Sequence, residues 1–260
     1  MVSFIQSLQE PLTALVKFPK LFVPKIVLAI IWGSLLLVIV DLFNKILLNP
    51  TNMETVSFVS SQLPSLIALT FIIFLIDVFV NAMYPLMVQD FFEKKQVSLL
   101  SSFKIVLQNA FSFLVPIIAA FIISMLLIFP FIFLFSLSIV FQNTSFIVFS
   151  LILALVAIFI VSVIFYFVFP VIVLEKKGIS GIMRSIRVGK NHFREASFGV
   201  IITFVLSVLT AVIASFSGFA SIQGMASIAL FLLLRLLTAV SASYQIVLNP
   251  ILYLEYIKGK

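Results

Sequence analysis

The chain has 260 residues, of which 63% are hydrophobic and only 10% charged, and its mean hydropathy is +1.33. A soluble domain has about 45–50% apolar and about 25% charged residues, so a water-soluble globule of this composition would expose apolar surface and aggregate. The sequence contains no cysteine, which excludes disulfides, thiolate chemistry and cysteine-ligated metals. These values predict a chain that folds in a lipid bilayer.

Long apolar stretches predict transmembrane helices. Backbone polar groups in lipid must be satisfied internally, so a spanning segment is a helix or part of a closed barrel. Barrel strands alternate apolar and polar residues over about ten positions, whereas the apolar runs here are continuous and exceed the roughly 20 residues that a spanning helix needs. An eight-span alternative is disfavoured, because no polar turn lies near Pro130. We predict one all-α integral membrane domain, residues 1–260, with six transmembrane helices at 25–48, 63–89, 112–140, 146–174, 198–220 and 228–254.

The basic residues predict the orientation of the helices. Of the 16 Lys and Arg residues, all except Lys45 and Arg235 fall on one side, in residues 1–25, 90–104, 175–195 and 255–260. The opposite loops, residues 49–61, 141–145 and 216–227, carry only Glu54. Because Lys and Arg accumulate in cytoplasmic loops, we expect a plasma-membrane protein with both termini cytoplasmic. Its net charge of +7 then needs no nucleic acid, since anionic lipid headgroups supply the counter-charge.

Three hairpins end alike and predict an internal repeat. Pro85, Pro170 and Pro250 each lie in an aliphatic and aromatic setting just before an acidic and basic cluster. An amphipathic segment precedes each hairpin, as expected for helices in the membrane interface. The apolar stripes of these segments are Phe4, Leu8, Leu12 and Leu15, then Leu100, Phe103, Leu107 and Phe111, then Ile179, Ile182, Ile186 and Phe193. The predicted units are residues 1–95, 96–177 and 178–260, in one orientation.

The third amphipathic segment carries a family resemblance. It reads VLEKKGISGIMRSIRVGKNHF and places an acidic span end before a basic helix, with Glu175, Arg184, Ser185, Val188, Lys190 and Asn191 at the pattern positions. This segment and the closing NPILYLEYIK resemble prokaryotic six-span proteins that include the membrane domain of glycerophosphodiester phosphodiesterases and its stand-alone relatives of unknown function. The first unit departs from the pattern through its early prolines. The resemblance implies a six-span fold and no activity, since the phosphodiesterase chemistry of the fused relatives lies in a separate soluble domain.

Three charged residues lie inside the predicted spans and are candidate functional residues. Intramembrane charges are costly and therefore often functional. Asp41 and Arg235 lie at similar depth, about 12 Å from the outer ends of their spans, and are the predicted pair, although Lys45 competes for Asp41. Asp77 lies nearer the middle of the membrane. The alternatives are an ion or proton pathway, an anion site on Arg235, or a salt bridge that closes the bundle, and we favour the salt bridge.

A basic amphipathic stretch is the second candidate region. It would recognise lipid headgroups, dock a cytoplasmic protein partner, or merely set the topology. Its residues are Lys176, Lys177, Arg184, Arg187, Lys190 and Arg194.

The sequence lacks the groups that an enzyme requires. It has one histidine, 8 glycines and no phosphate-binding loop, metal-ligand cluster or nucleophile motif, so we expect no cofactor and no catalysis. We predict a non-enzymatic scaffold or accessory subunit that engages lipids or a protein partner. The alternative is a transporter or channel component that uses Asp41, Asp77 and Arg235.

Overall fold

The computed structural model of the protein describes residues 4–48, 53–93, 96–219, 225–257 and 259. Regular structure in these ranges is entirely helical. A short 3₁₀ turn, Pro19–Phe22, leads into the second helix, and a π turn, Tyr253–Ile257, follows the last one. The helices are α1 (Phe4–Lys17), α2 (Val23–Leu48), α3 (Met53–Phe92), α4 (Leu99–Gln108), α5 (Ala110–Val140), α6 (Thr144–Phe165), α7 (Val168–Glu175), α8 (Ser180–Asn191), α9 (Phe193–Phe219) and α10 (Met225–Leu252).

Six helical segments are long and apolar enough to cross a membrane, which confirms the predicted all-α membrane fold. Large apolar side chains cover the outside of the bundle, as suits lipid and not water. The spans are Pro19–Ile39, Ser57–Phe92, Ala110–Val140, Thr144–Glu175, Phe193–Val212 and Ala229–Ile257. The chain is therefore a multi-pass helical membrane protein.

Two predicted loops are shorter than the sequence suggested. Residues 53–61 were expected in a loop, but α3 begins at Met53 and continues through Pro64 for 40 residues. At 1.5 Å per residue it is about 60 Å long, twice the roughly 30 Å hydrocarbon core. The polar residues at its start lower the mean hydropathy but do not interrupt the helix. Ser61, for example, donates its hydroxyl hydrogen bond to the carbonyl of Phe58 within the same helix, at 2.6 Å. Likewise, residues 216–219 belong to α9 and 225–227 to α10.

The fully buried core lies at one end of the bundle, where α3, α7 and α10 contact one another. We call this the basic end, because α1, α4 and α8 lie there. Pro85, Pro170 and Pro250 are all buried in it. The largest side chains of this core include Tyr84 and Met87 from α3, Phe167 and Ile172 from the α7 segment, and Leu248 and Ile251 from α10.

Each amphipathic helix packs against the span that ends the preceding hairpin, and α1 packs against the last span. Helix α4 contacts α3, α8 contacts α7, and α1 contacts α10. The part of the predicted stripe that lies in α4 faces outward, since Leu100 and Leu107 are 79% and 56% exposed while Ser102 and Val106 are buried. The stripes of α1 and α8 are divided between core and surface. Each amphipathic helix therefore extends the core of a neighbouring span.

The fourth span is broken between α6 and α7, and a side chain from α10 repairs the break. Pro170 has no backbone N–H, so it leaves the carbonyl of Tyr166, four residues earlier, without its helical donor. The side-chain amide of Asn249 donates to that carbonyl. Asn249 directly precedes Pro250, so the polar repair lies inside the packed core of the basic end.

Helix α8 docks closely on the broken span through glycine. A Cβ atom at Gly189 would lie 2.5 Å from the carbonyl oxygen of Ile164 and 2.9 Å from that of Val163. Backbone atoms cannot move aside as a flexible side chain can. Gly189 is thus required by the distance between α8 and α6.

We predict that Gly189→Ala lowers the free energy of unfolding by about 1–3 kcal/mol, the cost of overpacking a close contact. Thermal unfolding of the detergent-solubilised protein measures it. Gly33→Ala is the matched control, since its Cβ would meet nothing nearer than 3.6 Å and both changes gain the same helix propensity. Equal stability of the two variants would contradict the docking.

Candidate functional site

An ion pair between α2 and α3 lies inside the bundle. Lys25 Nζ is 2.9 Å from Asp77 Oδ1, and the two side chains are 11% and 31% exposed. Lys25 was expected in the cytoplasmic segment before the first span, and Asp77 had no predicted partner. The first span begins earlier than predicted, at Pro19, which carries Lys25 into the bundle. The hydropathy pattern did not predict a buried Lys25, because this lysine lies at the edge of the apolar run.

A cavity of about 400 Å³ is lined by this pair and also by Arg235. Among the described residues, Arg235 Nε has no hydrogen-bond partner. Its guanidinium carbon lies 5.0 Å from the ring centroid of Phe231, and its Cγ would be 3.6 Å from a Cβ at Gly33. The cavity is lined by Lys25, Leu28, Ala29, Trp32, Asp77, Ser207, Thr210, Ala211, Arg235, Thr238, Ala239, Ala242 and Gln245.

The predicted partner of Arg235 is not among the described side chains. Asp41 belongs to α2, but its side chain, like that of Lys45, lies outside the described residues. The Asp41–Arg235 pair therefore stays a prediction. Asp77 and Arg235, in contrast, do line one cavity.

A second cavity, of about 340 Å³, adjoins the first at Lys25, Ala242 and Gln245. It reaches the break in the fourth span and is also lined by Asn81 and Asn249. In the described part of the chain, no donor reaches the side-chain oxygen of either asparagine. A buried acceptor without a donor costs about 1–3 kcal/mol. These oxygens therefore favour a hydrogen-bonding ligand or water in the cavity.

A buried carboxylate organises the predicted basic stretch. The side chain of Glu175 is 6% exposed and forms ion pairs with Lys177 at 3.0 Å and with Arg184 at 3.5 Å. The hydroxyl of Tyr253 donates to its Oε1 at 2.5 Å. Glu175 thus joins the ends of α7 and α10 to the start of α8. Two of the six residues predicted to bind lipid or a partner, Lys177 and Arg184, have this internal contact.

The other basic residues of the stretch are exposed. Arg187 and Lys190 share one side of α8 with the exposed apolar residues Ile179 and Met183. Lys176 is exposed at the left-handed end of α7, with φ of 53°. Arg194 is exposed at the start of α9 and has a contact of its own. We call Lys176, Arg187 and Lys190 the basic face.

Comparison of the chain with protein-family models, with curated proteins and with solved structures finds no match. The resemblance to the membrane domain of glycerophosphodiester phosphodiesterases stays a prediction. Among the described side chains, no three His, Asp or Glu residues come together to hold a metal ion. The interpretation of the site therefore depends on the geometry of the polar cavities and of the basic face.

We predict that Lys25→Met and Asp77→Asn each lower the free energy of unfolding by about 1–3 kcal/mol, because each leaves an unpaired polar or charged group inside the bundle. The double variant should lose less than the sum of the two. A double-mutant cycle in denaturant measures this coupling. Lys17→Met, at an exposed lysine of α1, is the control for charge removal. Additive losses would contradict the ion pair.

Proposed function

We propose that the protein is a non-enzymatic scaffold or accessory subunit of the plasma membrane that engages anionic lipid headgroups through its basic face. The observation that carries this proposal is the outward side of α8. There exposed Ile179 and Met183 are followed on the same side of the helix by exposed Arg187 and Lys190. A helix side that combines exposed apolar and basic side chains suits the membrane interface, where the basic groups can reach the lipid headgroups.

The way α8 is held supports a binding role. Gly189 fixes the helix against α6, and Glu175 holds its N-terminal half through Arg184. The basic face is therefore preorganised, which lowers the entropy lost on binding. Each basic side chain near an anionic leaflet contributes about 1 kcal/mol, so its three residues would contribute about 3 kcal/mol.

The proposed orientation follows from the charge distribution. Lys and Arg residues cluster in the loops of the basic end, so the positive-inside rule assigns that end and both termini to the cytoplasm. The cytoplasmic leaflet carries the anionic lipids that attract basic segments. The basic face would then meet the leaflet that suits its charge.

We predict that Arg187→Gln/Lys190→Gln loses retained anionic lipid roughly 30-fold, since two contacts of about 1 kcal/mol each are removed. Native mass spectrometry of protein released from bilayers that contain phosphatidylserine measures retention. Lys17→Gln/Lys104→Gln removes the same charge from exposed lysines of α1 and α4 and should retain the lipid. Equal loss of lipid in both double variants would show that only the net charge of the protein matters, and would contradict specific binding at the basic face.

A transporter or channel component is the second candidate. The observation that favours it is the cavity that brings Lys25, Asp77 and Arg235 together inside the bundle. Paired and unpaired charges at membrane depth commonly mark solute or proton pathways. In that case Asp77 and Arg235 would contact the solute, and Asp41 would belong to the same pathway.

A further inference from the structure

We propose that the cavity at Arg235 binds the head of a single-chain anionic amphiphile, a carboxylate or a phosphate that carries one apolar chain. This inference goes beyond the basic face and does not depend on it, because the cavity lies inside the bundle between α2, α3, α9 and α10.

The charge of the cavity argues for an anion. Its described lining contains two cations, Lys25 and Arg235, and one carboxylate, Asp77. Asp77 is occupied by Lys25 at 2.9 Å, which leaves the guanidinium of Arg235 without a counter-charge in that lining. A charge at membrane depth is costly unless it is paired. Guanidinium groups bind carboxylates and phosphates through two parallel hydrogen bonds.

The neutral polar residues around Arg235 suit the same ligand. Ser207, Thr210, Thr238 and Gln245 bring hydroxyl and amide groups to the cavity. Ala29 and three further alanines keep the space open. A volume of about 400 Å³ lies within the roughly 300–1,000 Å³ of small-molecule sites. The cavity therefore has the size, the donors and the charge for one anionic head.

An apolar groove beside the cavity accounts for the chain of the ligand. Trp32 lines the Arg235 cavity and also a groove of about 670 Å³ between α2, α3 and α5. Aliphatic and phenylalanine side chains, with Thr70 as an exception, form the rest of that groove. The anionic head of the ligand would contact Arg235 in the cavity, and its apolar chain would lie in the apolar groove along Trp32. This pairing favours an amphiphile over a compact anion.

Trp32 is the single tryptophan of the chain, so its fluorescence reports on this site. The probes are 6-bromoundecanoate and a trimethylammonium compound with the same brominated chain, because bromine quenches tryptophan on contact and a mid-chain bromine would lie near Trp32. We expect saturable quenching by the carboxylate and only a linear bilayer background from the ammonium compound. Equal quenching by both probes would overturn the proposal, since it would report partition into lipid.

Two variants connect the signal to the cavity. Arg235→Gln should weaken the carboxylate titration roughly tenfold or more, as expected when a charged hydrogen-bond partner is lost. Ala29→Leu, which keeps every charge and fills the cavity, should also abolish saturation. Lys104→Gln, an exposed charge on α4, should leave the titration unchanged. An unchanged titration in Arg235→Gln, with unaltered thermal unfolding, would overturn the proposal.

Competition identifies the source of the anion. Displacement of the probe by unbrominated undecanoate or undecyl phosphate, and not by acetate or inorganic phosphate, would support an amphiphile. Displacement by inorganic phosphate at equal concentration would overturn it in favour of a free anion. Lipid retention at the basic face is measured on other variants, so either proposal can fail while the other holds.

Discussion

The hydrogen bond from Asn249 to the carbonyl of Tyr166 is the constraint on which the basic end of the protein depends. A backbone carbonyl left unsatisfied in hydrocarbon costs several kcal/mol. Pro170 creates such a carbonyl in the last third of the fourth span, and α10 satisfies it with a side-chain amide. Because that amide must reach the break, α7 and α10 are held in contact. The buried residues around them, Phe167 and Leu248 among them, can then pack around a carbonyl that has a donor.

Both candidate sites follow from this arrangement. On one side of the core, the end of α7 presents Glu175, which anchors α8 through Arg184 and so orients the basic face. On the other side, the break itself lines the second cavity with Tyr166 and Asn249, and that cavity adjoins the first. A continuous helix in the fourth span would offer neither the sharp approach of Gly189 nor the polar wall.

The helical class and the six spans could be predicted from the sequence, because its composition and long apolar runs reflect a lipid environment directly. The sequence could not predict partners across the bundle. Lys25 lay at the edge of a hydropathy window and was assigned to a loop, so Asp77 was left without its partner. Depth along each helix suggests Asp41 as the partner of Arg235, and this pair stays a prediction because the side chain of Asp41 lies outside the described residues. The polar start of α3 resembled a loop because hydropathy measures solvent preference, whereas helix formation needs only local hydrogen bonds.

The most direct test of the account is a double-mutant cycle on Asn249 and Pro170, read by denaturant unfolding in detergent micelles. Asn249→Leu alone should cost about 1–3 kcal/mol, because it leaves the Tyr166 carbonyl buried without a donor. In a Pro170→Ala background, the restored N–H of residue 170 can reach that carbonyl, so the same Asn249→Leu change should cost at least about 1 kcal/mol less. An equal cost in both backgrounds would show that Asn249 acts only by packing and would contradict the central role of the break.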